Sequence, residues 1–94
     1  MSKSILQPDK KECYISGRTD NLHKHHIYGG NPLRKISERE GFWVWLSAEW
    51  HNMSGHGVHF DHELDLRLKR ECQAKYEETY SRDQFMALIG RSFL

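Results

Sequence analysis

The stretch HKHHIYGG, His23 to Gly30, decides how this chain folds and what it can do. Three histidines in four positions, then an isoleucine, a tyrosine and two glycines, are much chemistry for a loop. Leu22–Ile27 reads as a short strand, and the GGNP that follows (Gly29–Pro32) ends it. Downstream, FWVWL at Phe42–Leu46 is a second strand, a bulky run bounded by Gly41 and Ser47. LRKISEREG between them is a polar connection with room for one helical turn. Ser47 is placed to cap a short helix through Ala48–Met53, with Glu49 favourable in its first turn. Upstream, CYISGRTD (Cys13–Asp20) reads as a tight turn in which Gly17 takes a positive φ. Residues 1–12 are a polar, loosely held lead-in.

Beyond residue 53, MSGHGVHF breaks the pattern, with Gly55 and Gly57 flexible. The remainder is helical. Leu64, Leu68, Cys72, Tyr76 and Tyr80 recur every fourth residue, which predicts an amphipathic helix from about Asp61 to Tyr80. Ser81 with Gln84 three residues on is a capping box for a last helix, and Gly90 stops it. Phe85, Leu88, Ile89 and Phe93 would dock that helix. Both helices are expected to cover the core rather than to carry chemistry.

The whole chain bounds these readings. Its 94 residues suffice for one small domain with a modest core. The net charge of +1 is uneven: residues 1–47 carry eight Lys/Arg against five Asp/Glu, and residues 48–94 six against eight. The basic first half allows an anionic partner. Two cysteines, Cys13 and Cys72, make no disulfide framework, so a reducing compartment is the default. The N-terminal residues lack the apolar core of a signal peptide. The longest apolar run is far too short to cross a bilayer. A soluble, intracellular protein is expected.

If the two strands pair and the short helix folds back, His51 faces His25 or His26. Imidazoles from different elements are the usual material of a transition-metal site. The alternative is that histidines in a polar chain are simply solvated, and spacing alone leaves the choice open for His25, His26 and His51. His23 and His56 read as solvated. His59 and His62, after the flexible GHG, are either further metal ligands or solvent-facing histidines at a helix start.

CYIS (Cys13–Ser16), LHKHHIYGG (Leu22–Gly30) and WLSAEWHN (Trp45–Asn52) together resemble the HNH endonuclease family in its small phage and bacterial form. The resemblance covers Cys13 to Asn52, and GVHF at Gly57–Phe60 is similar to phage-type members. It implies an α+β fold: a ββα-metal (His-Me) finger core at 13–60, with 61–94 as an extension of two C-terminal helices packed on it. It places His26 as general base, with His25 and His51 as ligands of one divalent metal ion. Imidazole suits the base because its ordinary pKa lies near neutrality. A divalent cation suits the leaving 3′-oxygen because it neutralises charge developing there. Adjacent strand residues point to opposite faces, so His25 and His26 share a site only if the strand ends there.

Three departures from the family matter. Cys13-x-x-Ser16 and Ser47-x-x-Trp50 keep the spacing of two Cys-x-x-Cys pairs with one of four sulfurs, so no structural zinc is expected. Trp50 is expected to fill the vacated space. Phe42 stands where members with the His-His-Ile step usually have asparagine; Asn31 or Asn52 would be the substitutes. His25 replaces a common aspartate, which shifts metal preference from Mg toward Mn, Ni or Zn.

The expected partner is DNA, held mainly through its phosphates by Lys24, Arg34, Lys35 and Arg39, with Arg18 beside them. The resemblance also allows a homodimer, and implies the cytoplasm of a bacterium or phage-infected cell. The leading expectation is a nuclease that nicks or cleaves DNA to leave 5′-phosphates. Its rivals are a decayed HNH scaffold that binds nucleic acid or a host protein without cutting, and a helical interaction module holding zinc structurally.

Overall fold

The structure, a computed structural model, describes residues 3–53 and 61–94, with the backbone alone at 52 and 53. Its elements run β1 (Leu22–His26), α1 (Leu33–Glu40), β2 (Trp43–Ser47), a π-helical turn (Glu49–Met53), α2 (His62–Glu77) and α3 (Arg82–Ile89). This is a small α+β domain, a two-stranded antiparallel sheet with helices packed on it. His26 lies opposite Trp43 and Leu22 opposite Ser47.

Residues directly opposite each other share a face, and successive residues alternate. One face of the sheet therefore holds His23, His25, Val44 and Leu46, and the other holds Lys24, His26, Trp43 and Trp45. Val44 and Leu46 join Leu64, Leu68 and Cys72 of α2 and Phe85 and Ile89 of α3 in one buried core. Tyr28 and Phe42, just outside the strands, sit at its aromatic centre. Phe42 is fully buried, with Tyr28 and Tyr76 edge-on at 5.5 Å each. The Tyr28 hydroxyl donates to the Lys69 carbonyl at 2.7 Å and so ties the segment after β1 to α2.

β1 ends one residue before Ile27, and β2 starts one residue after Phe42, because both residues are taken into the core. The polar connection is a full helix of eight residues rather than a single turn. What holds α1 is specific. Leu33 and Ile36 pack on the core, and buried Ser37 exchanges hydrogen bonds with the backbone of Tyr28, its Oγ donating to the Tyr28 carbonyl at 2.8 Å. Gly41 ends the helix at φ +79°, and a Cβ there would stand 2.2 Å from the Lys3 carbonyl oxygen. Left-handed backbone and close approach together require glycine.

The lead-in is docked, contrary to the loose segment expected from its polarity. Ser4 and Gln7 are buried. Ser4 Oγ donates to the Trp43 carbonyl, the Trp45 amide donates to Gln7 Oε1 at 2.8 Å, and the Tyr14 amide donates to the Trp45 carbonyl at 2.8 Å. These polar side chains satisfy the free edge of β2, which would otherwise expose unpaired backbone groups.

Ser47 does not cap a helix; it closes β2, and the segment after Ala48 forms the wide π-helical turn. α2 is capped by Asp61, whose carboxylate accepts from the Glu63 and Leu64 amides. The Ser81–Gln84 capping box and the left-handed Gly90 bound α3 as the sequence predicts. The α2 stripe is buried through Cys72 and half-buried at Tyr76. Tyr80 lies beyond it, 52% exposed, and stacks on Tyr76 at 4.7 Å. Among the described residues no helix is long and apolar enough to cross a membrane.

Candidate functional site

β1 carries three histidines, and its alternation sends them two ways. His23 and His25 lie on the core-side face, where the π-helical turn brings His51 to them. The His51 ring lies 5.1 Å from His23 and 5.4 Å from His25, centroid to centroid. His23 Nδ1 and His51 Nδ1 are 3.0 Å apart, a hydrogen bond in which one ring donates to the other. If His51 is the donor, its Nε2 carries a lone pair; if His23 is the donor, His51 keeps its proton on Nε2 and has none to give a metal. His23, read from sequence as solvated, is thus the residue that orients His51.

His26 is the last residue of β1 and faces the other way, yet it reaches the same opening because β1 is an edge strand. Its Nε2 lies 2.9 Å from Glu38 Oε1, and Lys24 Nζ lies 3.3 Å from each oxygen of that carboxylate. The hydrogen bond from His26, against a smaller opposing effect of burial and with help from Lys24, holds the Glu38 carboxyl below the usual carboxylate range. No sequence signal marks Glu38. It stands in a polar run and meets His26 only because Ser37 fastens α1 to Tyr28.

A cavity of about 480 Å³ opens where these groups meet, lined by His25, His26 and His51 with Lys24 and Arg34. Its far wall is α2, through Asp65 and Lys69, which form an ion pair at 2.8 Å. That helix, expected only to cover the core, therefore also contributes charge to the pocket. Of the expected DNA-contacting residues, Lys24 and Arg34 line the cavity, while Lys35 and Arg39 lie exposed on α1. Arg39 pairs with Glu40, and Arg18 with Asp20. His62 stands exposed at the start of α2. His56 and His59 lie outside the described residues, as does the side chain of Asn52; Asn31 is exposed.

The fit to a divalent ion is that of two nitrogen donors. His25 and His51 come from different elements, with rings close enough to reach one ion at about 2.1 Å from each nitrogen. Among the described residues no three His, Cys, Asp or Glu side chains are arranged to hold an ion together. Two imidazoles leave positions open for water and substrate oxygens, as a reacting site requires and a closed structural site does not.

Three of the four positions of the cysteine-like frame also meet, Cys13, Ser16 and Ser47. Cys13 is buried, its Sγ accepting from the Ser16 amide at 3.4 Å. Burial raises its pKa, but hydrogen bonds from Ser16 and Ser47 outweigh that and bring the thiol down to about 7. Ser47 is buried beside it, and Trp50 packs half-buried against the core. The Tyr14 hydroxyl donates to Glu71 at 2.6 Å, joining this turn to α2. Both cysteines are free thiols, and burial pushes Cys72 up to about 12. Compared with protein-family models, with curated proteins and with solved structures, the chain matches none.

Proposed function

We propose that the pocket at the end of β1 is the active site of a metal-dependent, HNH-type endonuclease that nicks or cleaves DNA. One observation carries this reading: His25, His26 and His51, from two elements and both faces of one strand, open into a single cavity. The order strand, helix, strand, helical turn, with His26 ending the first strand and His51 on the turn, is compatible with a ββα-metal core carrying an inserted helix.

In this reading His26 takes a proton from the attacking water, and His25 and His51 would hold the metal. A bound divalent ion would supply charge neutralisation at the phosphate and the departing 3′-oxygen. Arg34 lines the cavity with its side chain exposed and can donate to phosphate oxygens there. His23 supports the site by fixing the orientation of His51.

The test is a plasmid-nicking assay with magnesium, manganese, nickel and zinc in parallel, comparing the wild type with His26→Ala. Metal-dependent nicking that His26→Ala abolishes supports the reading. Two folded proteins that nick under no metal would sink it. One observation favours the second reading, a scaffold that binds without cutting. The family's asparagine slot is Phe42, which is fully buried in the aromatic core and turned away from any substrate. Under that reading DNA binds with equal affinity to the wild type and His26→Ala and is cut by neither.

A further inference from the structure

We propose that Glu38 is the positioning residue of His26: it holds the ring with its proton on Nε2, and Lys24 holds Glu38 in place. The consequence for catalysis rests on the nuclease reading above; the pairing of the three side chains does not.

An ionised carboxylate only accepts, so a ring nitrogen 2.9 Å from Glu38 Oε1 must be an N–H. In the neutral imidazole the proton then sits on Nε2, and Nδ1 is the one basic atom left. A general base needs a lone pair, held still and aimed at the water. With the ring fixed in this way, the water's proton passes to Nδ1 as its O–H bond breaks, the oxygen bonds to phosphorus as the bond to the 3′-oxygen breaks, and the departing 3′-oxygen takes a proton from solvent water. The resulting imidazolium, N–H on both nitrogens, faces a carboxylate that offsets its charge.

The second step is rigidity. Glu38 follows Ser37, which is fully buried and hydrogen-bonded to both the amide and the carbonyl of Tyr28. Tyr28 lies two residues beyond His26. The carboxylate and the imidazole are thus borne by two backbone segments pinned together one and two residues away, which leaves little slack.

Lys24 completes the arrangement. It shares the outer face of the sheet with His26, its Nζ lies 3.3 Å from both Glu38 oxygens, and it sits 4.3 Å above the Trp43 ring. An ammonium held between a carboxylate and an indole face is poorly placed to grip a phosphate. Lys24 therefore leaves the set of DNA-contacting residues and becomes part of the support of the base.

The test has two readouts. The first needs no activity: long-range 1H–15N spectra of the histidine side chains, with His26 assigned through His26→Gln. A slowly exchanging proton on His26 Nε2 is expected in the wild type, kept in Glu38→Gln, whose amide oxygen still accepts, and lost in Glu38→Ala. A proton on Nδ1 in the wild type, or an Nε2 proton equally protected in Glu38→Ala, overturns the proposal. The second readout is nicking kinetics. Glu38→Ala should lower kcat by about 10- to 100-fold with KM nearly unchanged, Glu38→Gln should recover most of it, and Lys24→Ala should lower kcat as well. If Lys24→Ala instead raises KM and weakens the salt dependence of binding, Lys24 is a phosphate contact and its assigned role is wrong. A wild type that fails to nick refutes the nuclease reading alone, because the spectra still decide the pairing.

Discussion

Two places in this molecule gather polar side chains around the same short sheet, and they are built in opposite ways. At the Leu22–Ser47 end, buried Cys13 and Ser47 lie against the exposed turn at Ser16, whose amide donates to the Cys13 sulfur, and Trp50 packs on the core. Toward the His26–Trp43 end, three histidines meet at a cavity of about 480 Å³ whose lining also holds Asp65 and the cations Lys24, Arg34 and Lys69. The first cluster turns its buried thiol inward, onto the Ser16 amide and the fold. The second keeps donors and acceptors facing an opening. A residue spacing shared with a metal frame is thus compatible with either outcome, and enclosure separates them. Substitutions in the closed cluster and the core should change stability and leave chemistry alone, and substitutions in the open one should do the reverse.

The largest effect tests that separation from the core side. Phe42→Asn, which restores the residue the family resemblance places there, should cost about 3–5 kcal/mol in urea unfolding and add no activity. A gain in nicking would mean that position 42 reaches the site. His26→Ala should lower nicking by about 100-fold or more, roughly 3 kcal/mol in barrier, while stability changes by less than about 1 kcal/mol. Comparable losses of both would erase the distinction between the two clusters.

Cys13 gives a pH-dependent test of the closed cluster. The fold holds its thiol at about 7 against an ordinary 9.0, so the thiolate is favoured by folding. The stabilisation is full above about pH 9 and is lost as pH falls through about 7. Relative to Cys13→Ser, the wild type should therefore gain about 2 kcal/mol between pH 6 and pH 9, read from unfolding midpoints. A pH-independent difference would mean that the hydrogen bonds do not favour the thiolate. The smallest effect is Tyr14→Phe, which removes the bond to Glu71 and should cost about 1–2 kcal/mol with nicking unchanged.

What the sequence revealed was local. The capping box of α3, the turn at Gly17 and both strands to within one residue follow from patterns that neighbouring residues settle among themselves. What it concealed was distant. α1 looked like a connection because its anchor, Ser37, is polar and finds its partner in Tyr28, nine residues earlier. The lead-in looked loose because its polar side chains cap a strand edge some forty positions away, Ser4 on Trp43 and Gln7 on Trp45. His25, His26 and His51 could be singled out by residue type and resemblance. Glu38, Asp65 and Lys69 could not, because only the packing of α1 brings Glu38 to His26 and only that of α2 brings Asp65 and Lys69 to the pocket. His23 was discounted for the same reason: alternation puts it on the face of His25, and only the π-helical turn supplies its partner.

One comparison tests the open site most directly: nicking and thermal unfolding of the same protein after exhaustive chelation, and again after manganese is restored. An open two-histidine site predicts that chelation abolishes nicking and barely moves the unfolding midpoint, and that manganese restores nicking in the wild type but not in His51→Ala. A protein that unfolds on chelation, or nicks undiminished without metal, would contradict it.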